Sequence, residues 1–190
     1  EMCIRDRYSI DYDVSDSSGN NAVTITRTVV VEDTEAPVII LAGDADITLE
    51  ADSPYSDAGA SVTDNYNTGL TASVDLSSLD LTTVGVYTLT YSVSDSSGNA
   101  ATPVYRTITI VDTQAPTITL VGNPTIDIQA GTTYVDPGFT ATDIYDGDLT
   151  AQVLVTGTVD TSILGAITLS YDVSDSSNND APTKTRTVRV

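Results

Sequence analysis

The feature that most constrains this chain is an internal repeat of about 79 residues. The segment Tyr91–Asn99, Y-S-V-S-D-S-S-G-N, has near copies at Tyr12–Asn20 and at Tyr171–Asn179. A second motif, D-T-x-A-P, begins at Asp33 and again at Asp112, in step with the first. Because a fixed period means that one structural unit is used several times, the sequence predicts a tandem array of small modules.

The repeat divides the chain into four segments. Residues 1–7 are a terminal peptide that matches neither repeat, and residues 8–32 are the last two strands of a truncated module. Residues 33–111 and 112–190 are two full modules. The terminal peptide looks like a translated sequencing adapter, so it is set aside from the fold. It contains Cys3, the only cysteine of the chain, and the modules therefore have no disulfide framework.

Short β-rich runs separated by turn residues fill each full module. From Gly85 onward, large apolar residues alternate with Thr and Ser, which is the period of a half-buried strand. The strands predicted for the first full module are Val38–Leu41, Ile47–Leu49, Ala60–Thr63, Leu70–Val74, Leu79–Thr82, one that begins at Gly85, and Val104–Val111. About seven short strands without helical periodicity predict an all-β fold, an antiparallel β-sandwich in each module.

The truncated module reads as a two-stranded ribbon. Tyr8, Ile10 and Tyr12 alternate with polar residues, which predicts a half-buried strand, and residues 23–31 form a second β-branched run. Because an isolated hairpin is marginally stable in water, we expect this ribbon to be poorly ordered or to rest on the module that follows.

Charge excludes several classes of partner. The formal net charge is −20, from 27 acidic and 7 basic residues, so the chain repels nucleic acid and anionic membranes. There is no apolar run of 18 residues, so no membrane insertion is expected. The chain has no histidine, and its one cysteine lies in the terminal peptide, so nucleophilic catalysis lacks its usual groups and no enzyme is predicted.

Several short motifs recur in the same order in both full modules. They are D-T-x-A-P, D-x-G, T-D-x-Y and the Y-x-V-S-D-S-S-G-N segment. This order resembles bacterial Ig-like repeats of surface proteins, which are similar to hyalin-type repeats. The resemblance implies tandem Ig-like sandwiches in an extracellular protein, on the bacterial cell surface or secreted, with neighbouring repeats as partners and no catalysis. The last module departs from the pattern at Asn178, where the others have glycine, and at Ile167, where they have tyrosine.

The repeated acidic residues suggest a metal site. In an Ig-like sandwich the entering chain and two loops lie at one pole, and clustered oxygen ligands on loops suit Ca²⁺. We therefore expect an interdomain Ca²⁺ site formed by Asp112, Asp143, Asp146, Asp148, Asp175 and Asn179. A second, weaker site would use Asp33, Asp64, Asn67, Asp95 and Asn99. The alternative is that these residues only build turns; the spacing is not that of an EF-hand.

Two further sets of residues have a functional and a structural interpretation. Arg27, Arg106 and Arg186 recur at one strand position, where they either bind an anion or, as we favour, pair with a nearby carboxylate. Tyr66 and Tyr145 lie on the acidic loops, where they either stack on a sugar or simply cap the loop.

These observations favour a structural role. We expect a spacer or stalk in an adhesin-like surface or secreted protein, stiffened by interdomain Ca²⁺. The alternatives are a module that binds surface glycans or proteins, and accessory repeats of a secreted hydrolase.

Overall fold

The structure is a computed structural model that describes residues 6–190. Residues 1–5 of the predicted adapter peptide lie outside the described residues, and its last two residues, Asp6 and Arg7, begin the first strand. The chain divides into two compact units: unit 1 ends at Ile110, and unit 2 is Val111–Val190. The first eight strands are β1 Asp6–Tyr12, β2 Ile25–Val31, β3 Val38–Leu41, β4 Asp46–Glu50, β5 Ala60–Thr63, β6 Ser73–Asp75, β7 Gly85–Ser92 and β8 Val104–Val111.

Unit 2 repeats this order of elements. Its strands are β9 Thr117–Leu120, β10 Thr125–Asp127, β11 Phe139–Asp143, β12 Gly147–Asp148, β13 Leu154–Thr156, β14 Ala166–Asp172 and β15 Lys184–Arg189. A short 3₁₀ turn, Thr150–Gln152, precedes β13. The all-β fold predicted from the strand pattern is confirmed.

Unit 1 builds its core between two sheets. One sheet is the antiparallel pair β3–β5, and the other has the order β4-β8-β7-β6. The alternation along β7 places Leu89 and Tyr91 inward, where they are 0% and 1% exposed, and Ile108 of β8 and Ile39 of β3 meet them in the core. The predicted inward face of β7 is thus confirmed.

Unit 2 has the same two layers. One sheet has the order β12-β11-β9 and the other β10-β15-β14-β13. The core includes Ile118 and Ala141 from the first sheet and Leu169 and Tyr171 from the second. The pairing of β10 with β15 is parallel, which the prediction of an antiparallel sandwich did not include.

Two predicted strands of unit 1 differ from the structure. Residues 79–82 are not a strand, because the Asp80 carboxylate accepts hydrogen bonds from the Thr82 amide at 2.9 Å and the Thr83 hydroxyl at 2.8 Å. Such side-chain bonds compete with a sheet ladder. Residues 70–74 contribute only their end to a strand, β6.

The hairpin β1–β2 corrects another expectation. The two strands pair in antiparallel register from Asp6 with Val31 to Tyr12 with Ile25. Every residue of both strands is exposed, so the half-buried strand predicted from the alternation is wrong. Alternation marks a face that can be buried, and here neither face of the ribbon is covered.

A buried arginine ties the two sheets together in each unit. Arg106 and Arg186 are both 0% exposed. Arg106 pairs with Asp57, and Arg186 pairs with Asp136, which confirms the predicted intramolecular pairing at these positions. Each guanidinium also donates to backbone carbonyls and lies 5.5–5.9 Å from the ring of a core tyrosine. Arg27 of the hairpin lies 5.7 Å from the ring of Tyr12.

Candidate metal centre

Four aspartates of unit 2 come together at the end of the sandwich where β11 ends. Asp112 directly follows β8, Asp143 is the last residue of β11, Asp146 lies in the turn before β12, and Asp175 lies in the turn after β14. One carboxylate oxygen of each lies within 4.8 Å of the others. Asp143 and Asp146 share one turn, whereas Asp112 and Asp175 come from distant segments, and the fold brings the four oxygens to a common point. We refer to Asp112, Asp143, Asp146 and Asp175 as the acidic cluster.

Hydrogen bonds within the turns set the positions of the Asp143 and Asp175 carboxylates. Asp143 Oδ1 accepts the amide hydrogens of Tyr145 at 2.7 Å and of Asp146 at 3.0 Å, which closes the turn after β11. Asp175 Oδ1 accepts the amide hydrogen of Asn179 at 2.7 Å, and Oδ2 accepts its side-chain amide at 2.8 Å. The predicted turn-building role is therefore present at both residues. It uses both oxygens of Asp175 but only Oδ1 of Asp143.

Two oxygens of the acidic cluster have no hydrogen-bond partner. They are Oδ2 of Asp112 and Oδ2 of Asp143, and both are buried. Asp112 is only 8% exposed and Asp175 only 7%. A buried, charged oxygen without a partner is costly, so turn building alone does not account for this arrangement.

Electrostatics points the same way. Two unit charges separated by 4.8 Å repel by about 3.5 kcal/mol at an effective dielectric constant of about 20. Among the ion pairs of residues 6–190, none includes a member of the acidic cluster. The described residues therefore supply no neutralising cation at this point.

Two polar residues outside the acidic cluster hold it in place. The Asn179 side-chain amide donates to the Asp112 carbonyl at 3.1 Å, which joins the entering segment to the turn after β14. Ser176 donates to Asp146 through its amide and its hydroxyl, both at 2.8 Å. The sequence pointed to Asn179 as a ligand, whereas its amide serves as a donor here. Ser176 was missed, although the repeated S-D-S-S motif marks its position.

Asp148 was predicted as a ligand, but the structure does not bring it to the acidic cluster. It lies in β12, exposed, and its carboxylate accepts the amide hydrogen of Thr150 at 2.9 Å. The bonds from Thr150 hold the pKa of Asp148 below 3.8. Asp148 therefore carries a negative charge close in sequence to Asp143 and Asp146, but it is not part of the acidic cluster.

Unit 1 carries the counterpart of the acidic cluster with less charge. Asn67 stands where unit 2 has Asp146, and its side-chain amide donates to the Ser96 hydroxyl at 2.8 Å. The side chains of Asp64 and Asn67 each have a buried oxygen without a partner. Across the described chain, the acidic cluster of unit 2 is the one group of three or more carboxylates that approach this closely.

Asp33, Asp95 and Asn99 complete the counterpart in unit 1. The Asn99 amide donates to the Asp33 carbonyl at 3.2 Å and to Asp95 at 2.7 Å, as Asn179 does in unit 2. Burial works to raise the pKa of Asp95, but the bonds from Asn99 outweigh it and hold that pKa below 3.8. Asp95 is therefore ionised at neutral pH.

The donor set of the acidic cluster is made of oxygen alone. Ca²⁺ takes six to eight oxygen ligands at about 2.3–2.6 Å, from carboxylates that bind through one or both oxygens, from carbonyls and from water. Zn²⁺ sites are usually built with histidine or cysteine, and neither is present in the cluster. The chemistry of the residues fits a hard divalent cation.

Comparison with known proteins places these units in a family. The family described as bacterial surface protein, Ig-like domain, matches residues 39–110 and residues 118–190. The chain belongs to this family. The predicted tandem Ig-like repeats are thereby confirmed.

Two relatives outside bacteria are similar to this chain in sequence. The chain is 38% identical to hyalin of Strongylocentrotus purpuratus over 122 residues, which is 60% of this chain and 10% of that protein. It is 31% identical to hyalin of Lytechinus variegatus over 195 residues, 95% of this chain and 36% of that protein. The chain thus spans about a third or less of the curated relatives it matches.

A solved structure with a related sequence is the lipoprotein BT2262 from Bacteroides thetaiotaomicron. It is 31% identical, covers 40% of this chain and 37% of that protein, and has a TM-score of 0.36.

Among the described residues of the present chain, no helix has the length and apolar character needed to cross a membrane.

Proposed function

We propose that this chain is a non-catalytic spacer of a bacterial surface or secreted protein, and that its acidic cluster binds Ca²⁺. Membership of a surface Ig-like family and the tandem repetition support the spacer role. The observation that carries the metal proposal is the pair of buried, unpartnered oxygens on Asp112 and Asp143. A divalent ion would satisfy both oxygens and neutralise the repulsion within the cluster.

The position of Asp112 connects ion binding to the stiffness of the array. Val111 ends β8, and Asp112 is the next residue of the chain. An ion bound to Asp112 and to the loops that carry Asp146 and Asp175 would restrict the backbone torsions at this residue. Ca²⁺ would therefore reduce the freedom of the connection between successive repeats, which is what a stalk requires.

Small-angle X-ray scattering of the full chain, with Ca²⁺ and after chelation, tests this proposal. We expect chelation to broaden the distribution of intramolecular distances. Asp146→Asn should show the broad distribution even in Ca²⁺, because it removes one ligand charge. Asp148→Asn is the matched control, since it removes the same charge from the same segment outside the cluster. Identical curves with and without Ca²⁺ would overturn the proposal.

Recognition of a surface glycan or protein is a second candidate. It is favoured by Tyr66, which is 54% exposed on the loop after β5. A glycan array probed with the wild type and with Tyr66→Ala separates the two candidates. Binding that disappears in Tyr66→Ala would support recognition by this loop, whereas a spacer predicts no binding that depends on Tyr66.

A further inference from the structure

Unit 2 contains a cavity, broadly open to solvent, that shares no residue with the acidic cluster. Its volume is about 580 Å³, within the range of about 300–1,000 Å³ that is usual for small-molecule sites. It opens between the segment that follows β10 and the segment between β13 and β14. Tyr134, Thr161 and Gly157 are among the residues that line it.

At the position equivalent to Thr161, unit 1 has a partly buried leucine that packs against its core. The Asp52 amide donates to the Leu81 carbonyl, and the Gly131 amide donates to the Thr161 carbonyl, each at 2.8 Å, which makes Leu81 and Thr161 equivalent. Leu81 packs against the core of unit 1, whereas Thr161 lines the cavity of unit 2. Replacement of a leucine by a threonine thus gives unit 2 a hydroxyl where unit 1 has a packed apolar side chain.

Gly157 forms a second part of the cavity wall, and it does so with its main chain alone. Its φ is +105°, and a Cβ at this position would lie 2.7 Å from the Thr168 carbonyl oxygen. No other residue type fits there without a shift of the backbone. The cavity is therefore lined at this point by the main chain alone.

Tyr134 has lost the hydrogen bond that its counterpart makes. In unit 1 the Tyr55 hydroxyl donates to Asp57 at 2.9 Å. In unit 2 the Tyr134 hydroxyl is buried and has no partner, although Asp136 is present. A buried hydroxyl without a partner is costly. The Tyr134 side chain lines the cavity, and a ligand hydroxyl that reached its buried oxygen would offset that cost.

The lining defines the class of ligand. The cavity is lined by hydroxyl groups, the Asp136 carboxylate and apolar side chains. The polar residues are Thr132, Thr133, Tyr134, Asp136, Thr158 and Thr161, and the apolar residues are Val155, Val159 and Leu169. No lysine or arginine lines it, and its one charged group, the Asp136 carboxylate, is already paired with Arg186, so the lining offers no free charge to bind an ion. Threonine hydroxyls donate and accept, as sugar hydroxyls do. We propose that this cavity binds a neutral saccharide.

Titration of the ¹⁵N-labelled full chain with glucose, galactose, mannose, N-acetylglucosamine and their short oligomers tests the proposal. The titration is run in a chelator, so that it does not depend on the metal site. We expect saturable shifts confined to residues around the cavity for at least one sugar, with a dissociation constant near or below about 1 mM. Absence of shifts with every sugar, or shifts confined to the loops of Tyr66 and Tyr145, would overturn the proposal.

Two substitutions sharpen the test. Thr161→Leu copies the core residue of unit 1 and should weaken binding at least about tenfold while unit 2 stays folded. Tyr134→Phe should weaken it about tenfold through the loss of one hydrogen bond. Leu81→Thr, the reverse exchange in unit 1, is the control and should leave the affinity unchanged. An unchanged affinity in Thr161→Leu would contradict the proposal.

Discussion

The substitution Asp57→Ala tests the buried charges of unit 1. Arg106 is fully buried, and the Asp57 side chain is 12% exposed. Without the carboxylate, the guanidinium keeps the backbone carbonyls of Ala42, Asp44 and Gly59 but has no counter-charge. Removing one partner of a buried ion pair costs about 3–5 kcal/mol. Because native domains are stable by only about 5–15 kcal/mol, this loss is a large fraction of the stability of unit 1.

Native-state hydrogen exchange resolves the two units in one experiment. The amides of core strands exchange through global unfolding of their unit. We expect Asp57→Ala to lower the opening free energy at Leu89 of β7 by about 3–5 kcal/mol and to leave Leu169 of β14 unchanged. Asp136→Ala, the matched variant, should act on Leu169 instead. A loss below about 1 kcal/mol at Leu89 would refute the reasoning.

The double replacement of Asp57 by leucine and Arg106 by methionine provides the complement. The ion pair loses solvation energy on burial, so an apolar pair of similar volume is often neutral or stabilising, by about 1–4 kcal/mol. We therefore expect the double variant to be far more stable than Asp57→Ala in the same exchange experiment. A double variant as unstable as Asp57→Ala would show that packing, and not charge, dominates at this position.

Three further predictions follow from single residues. Asn67→Asp adds the missing carboxylate to unit 1 and should raise its Ca²⁺ affinity about tenfold in a calorimetric titration. Burial works to raise the pKa of Asp57, but hydrogen bonds from two tyrosines and the Arg106 charge outweigh it and hold that pKa below 3.8. The stability that this carboxylate gives unit 1 should therefore be present above about pH 4 and be lost as the pH falls through the lowered pKa. Urea unfolding at a series of pH values measures this. Gly157→Ala should lower the melting temperature of unit 2, because its Cβ meets the Thr168 carbonyl, whereas Gly131→Ala meets no atom and adds only the strain of its positive φ.

The strands that the sequence predicted best are those whose alternation coincides with burial. β3, β5 and β8 have the predicted bounds, and β7 has the predicted inward face at Leu89 and Tyr91. Alternation alone fails in β1, where the same pattern is fully exposed because no second layer covers it. The pattern records which face is apolar, and burial depends on what the rest of the chain supplies.

The acidic cluster could be predicted in part. Turn positions implied by an Ig-like sandwich brought together Asp112, Asp143, Asp146 and Asp175, as the structure does. The same reasoning added Asp148, whose carboxylate instead caps the turn at Thr150. Spacing places a residue on a loop, but the direction of its side chain depends on local hydrogen bonds that the sequence does not specify.

The partner of each arginine and the cavity of unit 2 differ in how far they could be predicted. An acidic partner for Arg106 and Arg186 was expected, but only the fold identifies it as Asp57 or Asp136. The cavity was not predicted from the sequence at all. One of its lining residues, Thr161, stands at the position of Leu81, which packs against the core of unit 1, and that equivalence is established by the backbone hydrogen bonds.

Isothermal titration of the full chain with Ca²⁺ tests the central claim most directly. The account predicts saturable binding, with a dissociation constant of about 10⁻⁴–10⁻³ M or tighter, as in extracellular modules. Asp146→Asn should weaken it at least about tenfold, and Asp148→Asn should leave it nearly unchanged. No saturable binding up to about 10 mM Ca²⁺, or an equal loss in the two variants, would contradict a metal site at the acidic cluster.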